Sequence, residues 1–288
     1  MYKEVFIPHK FNELEKSDQA IGEECYNKYV DWFHDIEASF EKVVYGSDGL
    51  GVIAIVGSVK PRQNGMLYPV IIYNRGGSGD AGKITVKTLK ERFYPFIKSG
   101  YIVIGSQYRG NDGGDGHDEL GGDDVNDVIN LYQVIKSLDF ADLNNVFMVG
   151  FSRGGINTFS ALQKNIVPIK AAAIINGVSD LYLFEQLRPD AIPLLEEFIP
   201  NYHSGKVEEF DKRSAIKWVQ DIKVPMLLIH ASGDKVIDVS SSQKLYFKLL
   251  EYDKICKLII YPGSDHFLTL YLDIAIHEIL NWFDLYRH

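Results

Sequence analysis

Cysteine is nearly absent. Cys25 and Cys256 are the only two among 288 residues, too few for a disulfide framework, which points to a reducing compartment. There is no basic run either. The formal net charge of −9 argues against a broad nucleic-acid-binding surface. No stretch reaches the roughly 18 apolar residues of a membrane-spanning helix, so no membrane partner is expected. The opening MYKEVFIPHKFNELEK lacks the apolar core of a secretory signal. Internal repeats and low-complexity tracts are missing as well. What remains is a globular chain expected to be soluble and cytoplasmic, with 46% apolar and 24% charged residues. It is long enough for one large domain with a full core, or for two small domains.

What is present is regular alternation. Asn12–Ile36 reads as a helix, with Tyr26, Tyr29, Trp32 and Phe33 offering a face to bury. Phe40–Tyr45 and Leu50–Val59, parted by Gly-Ser-Asp-Gly, predict an antiparallel pair. Strands follow at Leu67–Tyr73, Tyr101–Ser106, Val146–Phe151, Ala171–Ile175, Met226–His230 and Leu258–Tyr261. Between them lie helical stretches at Lys83–Lys98, Asp123–Leu138, Gly155–Lys164, Ser240–Leu250 and Leu268–Leu285. The second of these carries Val125, Val128, Ile129, Tyr132 and Ile135 on one stripe. Such alternation predicts a mostly parallel eight-stranded sheet with helices on both faces. Ligands bind such sheets beyond the carboxyl ends of the strands.

At one of those ends stands Gly150-Phe151-Ser152-Arg153-Gly154, between an apolar run and a helix. This is the G-x-S-x-G nucleophile elbow with both required flanks. A serine hydroxyl is a weak nucleophile until a sharp turn exposes it and a base sits beside it. In this architecture the acid and the base follow in chain order, acid first. Asp234 fits the acid, on a loop after the strand Met226–His230; Asp238 is its rival. His266 fits the base, on a loop after a strand and downstream of the acid. His230 precedes the acid, His277 lies within a helix, and Asp265 reads as a turn residue. The backbone N–H of Arg153 and a donor from the loop Asn74–Gly77 are expected to form an oxyanion hole. No cysteine, histidine or aspartate spacing suggests a metal, and serine acyl transfer needs no cofactor.

From Phe40 to His288 the chain resembles the catalytic domain of the prolyl oligopeptidase family of α/β hydrolases. The resemblance rests on SFEKVVYGSDGLGVIAIV, YPVIIYNRGG, SQYRGNDGGDG, DELGGDDVNDVINLYQVIKSL, VGFSRGG, RSAIKWVQDIKVPMLLIHASGDKVID and YPGSDH. It implies an α/β-hydrolase fold over residues 40–288 behind an N-terminal helical extension, 1–39. It also implies a small helical cap inserted at about 176–223. About 40 residues precede the leading hairpin, too few for the β-propeller that gates peptide-cutting relatives.

Where relatives place His or Tyr before Gly-Gly, this chain has Arg75. Its guanidinium is expected to help the oxyanion or hold a substrate carboxylate, while backbone donation from Gly77 survives the change. Arg109, with the carboxylates after it, is read as a tie holding a long loop to the sheet. Asn74, Tyr108, Phe184 and Phe198 are assigned to the substrate pocket. Leu181, Leu183, Leu194 and Tyr202 line it too or simply pack the cap. The extension either caps the pocket, clasps a second subunit as a homodimer, or covers the sheet edge. The chain reads as a serine hydrolase acting on small esters or short peptides. A non-catalytic binding scaffold is the alternative.

Overall fold

The computed structural model describes residues 1–5 and 23–288. Nine strands among these residues form one sheet. They are β1 (Tyr2–Val5), β2 (Ala38–Ser47), β3 (Leu50–Val59), β4 (Tyr68–Asn74), β5 (Ile102–Ser106), β6 (Ala141–Phe151), β7 (Ile169–Ile175), β8 (Met226–Ala231) and β9 (Cys256–Tyr261). Their spatial order is β1-β2-β3-β5-β4-β6-β7-β8-β9. The first three run antiparallel to their neighbours, and the remaining six are mutually parallel. This is the α/β-hydrolase fold.

Eight of these strands are the expected ones. The ninth, β1, adds to the sheet edge by pairing Tyr2 through Val5 with Val44 through Glu41. Its four residues, YKEV, are too short and too polar to announce a strand, and only the waiting edge of β2 makes them one. The predicted helix at 12–36 is seen as α1 (Glu23–Asp35), and its part at 12–22 lies outside the described residues.

The remaining helices are α2 (residues 86–98, with a π-helical turn over Leu89–Phe93), α3 (Asp124–Lys136), α4 (Gly154–Lys164), α5 (Leu181–Leu187), α6 (Ile192–Phe198), α7 (Lys206–Arg213), α8 (Ser240–Glu251) and α9 (Leu272–Asp284). Helices α3, α4 and α8 cover one face of the sheet, burying Val125, Val128, Leu131, Phe159, Leu245 and Leu249. Helices α2 and α9 cover the other with Leu89, Phe93, Phe96, Ile276, Ile279 and Phe283. Each large apolar side chain removed from water contributes about 1.5–3 kcal/mol. With both faces covered, the central strands have no polar side, so β4 and β5 are buried along their whole length. Helix α1 lies on α2: Trp32 meets Tyr94 edge-on at 5.2 Å, Phe33 stacks on Phe40 at 5.5 Å, and the Tyr29 hydroxyl donates to Glu91 at 2.5 Å.

One topological fact places the site. From β4 the chain passes to β5 on one side, then returns to β6 on the other. The strand order reverses there, and the loops leaving β4 and β6 diverge to leave a crevice at their carboxyl ends. Above it, α5, α6 and α7 close over their own apolar cluster, in which Leu181, Leu195, Ile199, Tyr202 and Phe210 meet Leu120, Ile156 and Ile237 from the body. Among the described residues, no helix is long and apolar enough to cross a membrane.

Candidate active site

Ser152 stands where β6 turns into α4, with φ +55°, a left-handed value unusual for a residue with a Cβ. The turn is over-determined. The Ser152 N–H donates to the Ile175 carbonyl at 2.9 Å, and the Ser152 carbonyl accepts from Gly155 N–H at 2.9 Å. Such strain persists only where the surroundings impose it. Gly154 lets the elbow close, because a Cβ there would drive into the backbone carbonyl of Asn74 on β4. A Cβ on Gly76 would sit 3.0 Å from the Ser152 Cβ, so the loop after β4 lies directly against the serine.

Asp234 and His266 arrive from the loops after β8 and β9. One Asp234 carboxylate oxygen accepts the N–H groups of Val236 at 2.7 Å and Ile237 at 3.0 Å. The other faces His266 Nδ1 at 2.7 Å, and His266 Nε2 lies 2.9 Å from Ser152 Oγ. An imidazole protonated at Nδ1 satisfies both contacts, leaving Nε2 to accept from the serine hydroxyl. The three residues are 8%, 8% and 7% exposed in chain order, which shields the relay from bulk water while leaving it reachable. Among the rivals, Asp238 caps the start of α8 through Ser240, Asp265 binds Thr269, and His277 is exposed on α9.

Two supports carry little signal in the sequence. Asn176, with φ +48°, accepts the Ala231 N–H at 2.8 Å and donates to the His266 carbonyl at 2.6 Å, tying the histidine loop to the end of β8. His230 lies fully buried beneath Asp234, Nε2 to the Ile237 carbonyl at 3.0 Å and Nδ1 to Ser242 Oγ at 2.7 Å. Burial holds its pKa below the ordinary 6.5, outweighing the hydrogen bond to Ile237 and the charge of Asp234. It is therefore a neutral floor to the acid.

On the oxyanion side, the N–H groups of Gly77 and Arg153 donate to no acceptor among the described residues. Helix α4 begins beside them, its positive dipole end toward the serine. The expectation for the Arg75 side chain is corrected. Its guanidinium has five N–H donors, and the structure shows five bonds: to the carbonyls of Gln107 (3.1 and 2.6 Å), Gly76 (3.1 Å), Ala81 (3.2 Å) and Gly79 (2.9 Å). None is left for an oxyanion or a substrate carboxylate.

Two of the pocket assignments are corrected as well. Tyr108 is fully buried, with the guanidinium of Arg153 4.5 Å and that of Arg75 4.8 Å from its ring centre. Asn74 is also fully buried and donates to Thr158 at 2.8 Å. Both brace the loops and cannot line a pocket.

The Arg153 side chain joins a second ion cluster. It pairs with Asp118 and, at 2.7 Å, with Asp124. Burial by itself would raise the Asp118 carboxyl, but the adjacent Arg153 cation prevails and keeps it below the ordinary carboxylate range. Asp124 is one of the carboxylates read as tying the loop, but its arginine is Arg153, and Asp118 joins the same pair. Arg109 is the tie that was expected, bound to Asp127 and at 2.7 Å to Asp48.

From the cap, Phe198 packs against Gly79 and stacks on His117, with ring centres 6.2 Å apart. This sets it over the loop that follows Gly77. Phe184 is half-buried against the cap cluster, whose core includes Leu181 and Tyr202, and Leu183 is buried outside that cluster. A groove of about 750 Å³ lined by Lys60–Leu67 and Phe140 lies at the opposite end of the strands. It holds no member of this constellation.

Known proteins share the family and the fold. A profile of the prolyl oligopeptidase family matches residues 87–286. The uncharacterized peptidase YtmA of Bacillus subtilis is 28% identical over 228 residues, covering 78% of this chain and 85% of that protein. The acylamino-acid-releasing enzyme of Mus musculus is 25% identical over 190 residues, 60% of this chain but only 25% of that enzyme. A puromycin-hydrolyzing peptidase of Mycobacterium tuberculosis superposes with a TM-score of 0.72 at 24% identity, over 85% of this chain and 39% of that one. The chain thus spans most of the first relative and well under half of the other two.

Proposed function

As the chain belongs to the prolyl oligopeptidase family and is a serine hydrolase of the peptidase type, we propose that Ser152, His266 and Asp234 carry the reaction, which cleaves a short peptide or amide through an acyl-enzyme. Ser152 Oγ attacks the carbonyl carbon as His266 Nε2 takes the hydroxyl proton. Asp234 holds the imidazole in register and stabilises the imidazolium. The carbonyl oxygen, now anionic, is received by the N–H groups of Arg153 and Gly77. As the tetrahedral intermediate collapses, His266 returns the proton to the departing amine. Water, deprotonated by the same histidine, then releases the acid and restores Ser152.

The observation that carries this reading is the unbroken relay, 2.7 Å from Asp234 to His266 and 2.9 Å from His266 to Ser152. Amide cleavage demands firm protonation of a poor leaving group, which such a relay supplies. The names of the relatives, a releaser of acylamino acids and a hydrolyser of puromycin, favour amide substrates. Esters are the second reading, since the same relay accepts an easier leaving group. The reducing, cytoplasmic setting rests on the sequence alone, whose two cysteines are too few for a disulfide framework.

Labelling with a fluorophosphonate probe tests the assignment. The protein is expected to be labelled and Ser152→Ala to be blank, with turnover falling on the order of 10⁴- to 10⁶-fold. A folded wild-type protein that resists the probe favours the binding-scaffold alternative. Relative kcat/KM for aminoacyl-p-nitroanilides and p-nitrophenyl esters separates the substrate classes; esterase activity without measurable anilide cleavage overturns the peptidase assignment.

A further inference from the structure

Three consecutive backbone carbonyls in the loop after β4 are each held by a side chain. The Arg75 carbonyl accepts the Tyr108 hydroxyl at 3.0 Å, the Gly76 carbonyl accepts Arg75 Nη1 at 3.1 Å, and the Gly77 carbonyl accepts Arg153 Nη1 at 2.9 Å. In a trans peptide the N–H points opposite to the carbonyl of the same plane. Holding the Gly76 carbonyl against Arg75 therefore turns the Gly77 N–H the other way, out of the Arg75 nest. Gly77 sits at φ +72°, in a region where glycine rotates freely, so this peptide has no intrinsic reason to keep its orientation. A flip of the 76–77 peptide removes an oxyanion donor and turns an acceptor toward the developing negative charge.

Arg75 is suited to prevent that flip. It is 1% exposed, its remaining bonds to Gln107, Gly79 and Ala81 fix the guanidinium, and the Tyr108 ring lies 4.8 Å away. It touches no carboxylate. Burial, then repulsion from Arg153, brings its pKa down to about 10, still a full cation at neutral pH. Arg153 holds the next plane while Asp118 ties Arg153 to the Gly79 N–H at 3.1 Å.

We propose that Arg75 is a positioning residue that sets the Gly77 amide for the oxyanion from behind the loop, with Arg153 and Tyr108 locking the adjoining peptides. This deepens the mechanism above and rests on it. The side chain orients the donor without being one.

The test uses the full-length protein, p-nitrophenyl acetate turnover, and benzyl trifluoromethyl ketone ¹³C-labelled at the carbonyl. That ketone adds reversibly to an active serine, and the pKa of the resulting hemiketal oxygen, read by ¹³C shift, reports the oxyanion environment. In Arg75→Gln the hemiketal pKa is expected to rise by about one or more relative to wild type. The kcat is expected to fall ~10- to 100-fold, with KM within about threefold, short of the full loss of a donor. Arg75→Lys keeps the charge and cannot span four carbonyls; it is expected to show the same shift and serves if the glutamine variant does not fold. An unchanged hemiketal pKa with kcat within about twofold of wild type, in either folded variant, overturns the proposal. Failure of the wild-type protein to form a hemiketal, or its formation in Ser152→Ala, sinks instead the mechanism on which it stands.

Discussion

A single buried imidazole sets part of the pH response of this protein. His230 is held below its ordinary pKa of 6.5 because burial disfavours its charged form. The unfolded chain consequently binds a proton there before the folded one does. Stability from this residue is complete above pH 6.5 and is lost as pH falls from there toward the lower folded value. Asp127, whose carboxyl burial raises, works in the opposite sense, so the histidine is best isolated by difference. His230→Asn keeps a polar atom where Nδ1 meets Ser242, gives up the Nε2 contact to Ile237, and removes the titration. Its thermal midpoint is expected to fall less than that of wild type between pH 7 and pH 5. Parallel declines in the two proteins would exclude His230 as the source.

At the level of elements, the elbow depends on how closely α4 approaches β4. Gly154 is the contact point, and its α-carbon faces the Asn74 carbonyl with no room for a methyl group. Gly154→Ala must push α4 off the sheet or distort Ser152, at an expected cost of about 3 kcal/mol or more. Chemical denaturation measures this directly; a variant with wild-type stability and activity contradicts the packing described. The elements themselves were mostly legible. Apolar runs gave β4 through β9, and the stripe on α3 emerged with Val125, Val128, Ile129 and Ile135 buried and Tyr132 half-buried. The short β1 was not, since it arises from pairing with β2 rather than from local pattern, and neither was the π-helical turn in α2.

Across the whole molecule, the cap is joined to the body through a buried arginine. Arg213 on α7 donates to the carbonyls of Leu120 at 3.2 Å and Glu119 at 3.1 Å, and pairs with Glu209 at 2.5 Å, while being 1% exposed. Removing this donor leaves the Leu120 and Glu119 carbonyls unsatisfied, at about 1–3 kcal/mol for each buried acceptor, while Glu209 keeps Lys212 as a partner. In Arg213→Met, limited proteolysis is expected to produce new cuts within 181–213. Fluorophosphonate labelling should persist, since Ser152, Asp234 and His266 stand on loops of the body. A cap as resistant as wild type's would show that the apolar cluster alone secures it.

The linear chain by itself determined the class of fold, the elbow motif at Ser152, and Asp234 and His266 as the candidates to meet it. Those features follow from local spacing: an apolar run that ends, a turn, and a chemically apt side chain just past it. Only the tertiary structure decided the work of Arg75, Tyr108 and Asn74, which read as substrate contacts and proved to be internal braces. It alone revealed Asn176, His230 and Asp118 as supports. The reason is physical. A polar side chain's role is set by which donors and acceptors surround it after folding, and for Asn176 one of those partners lies 90 positions away.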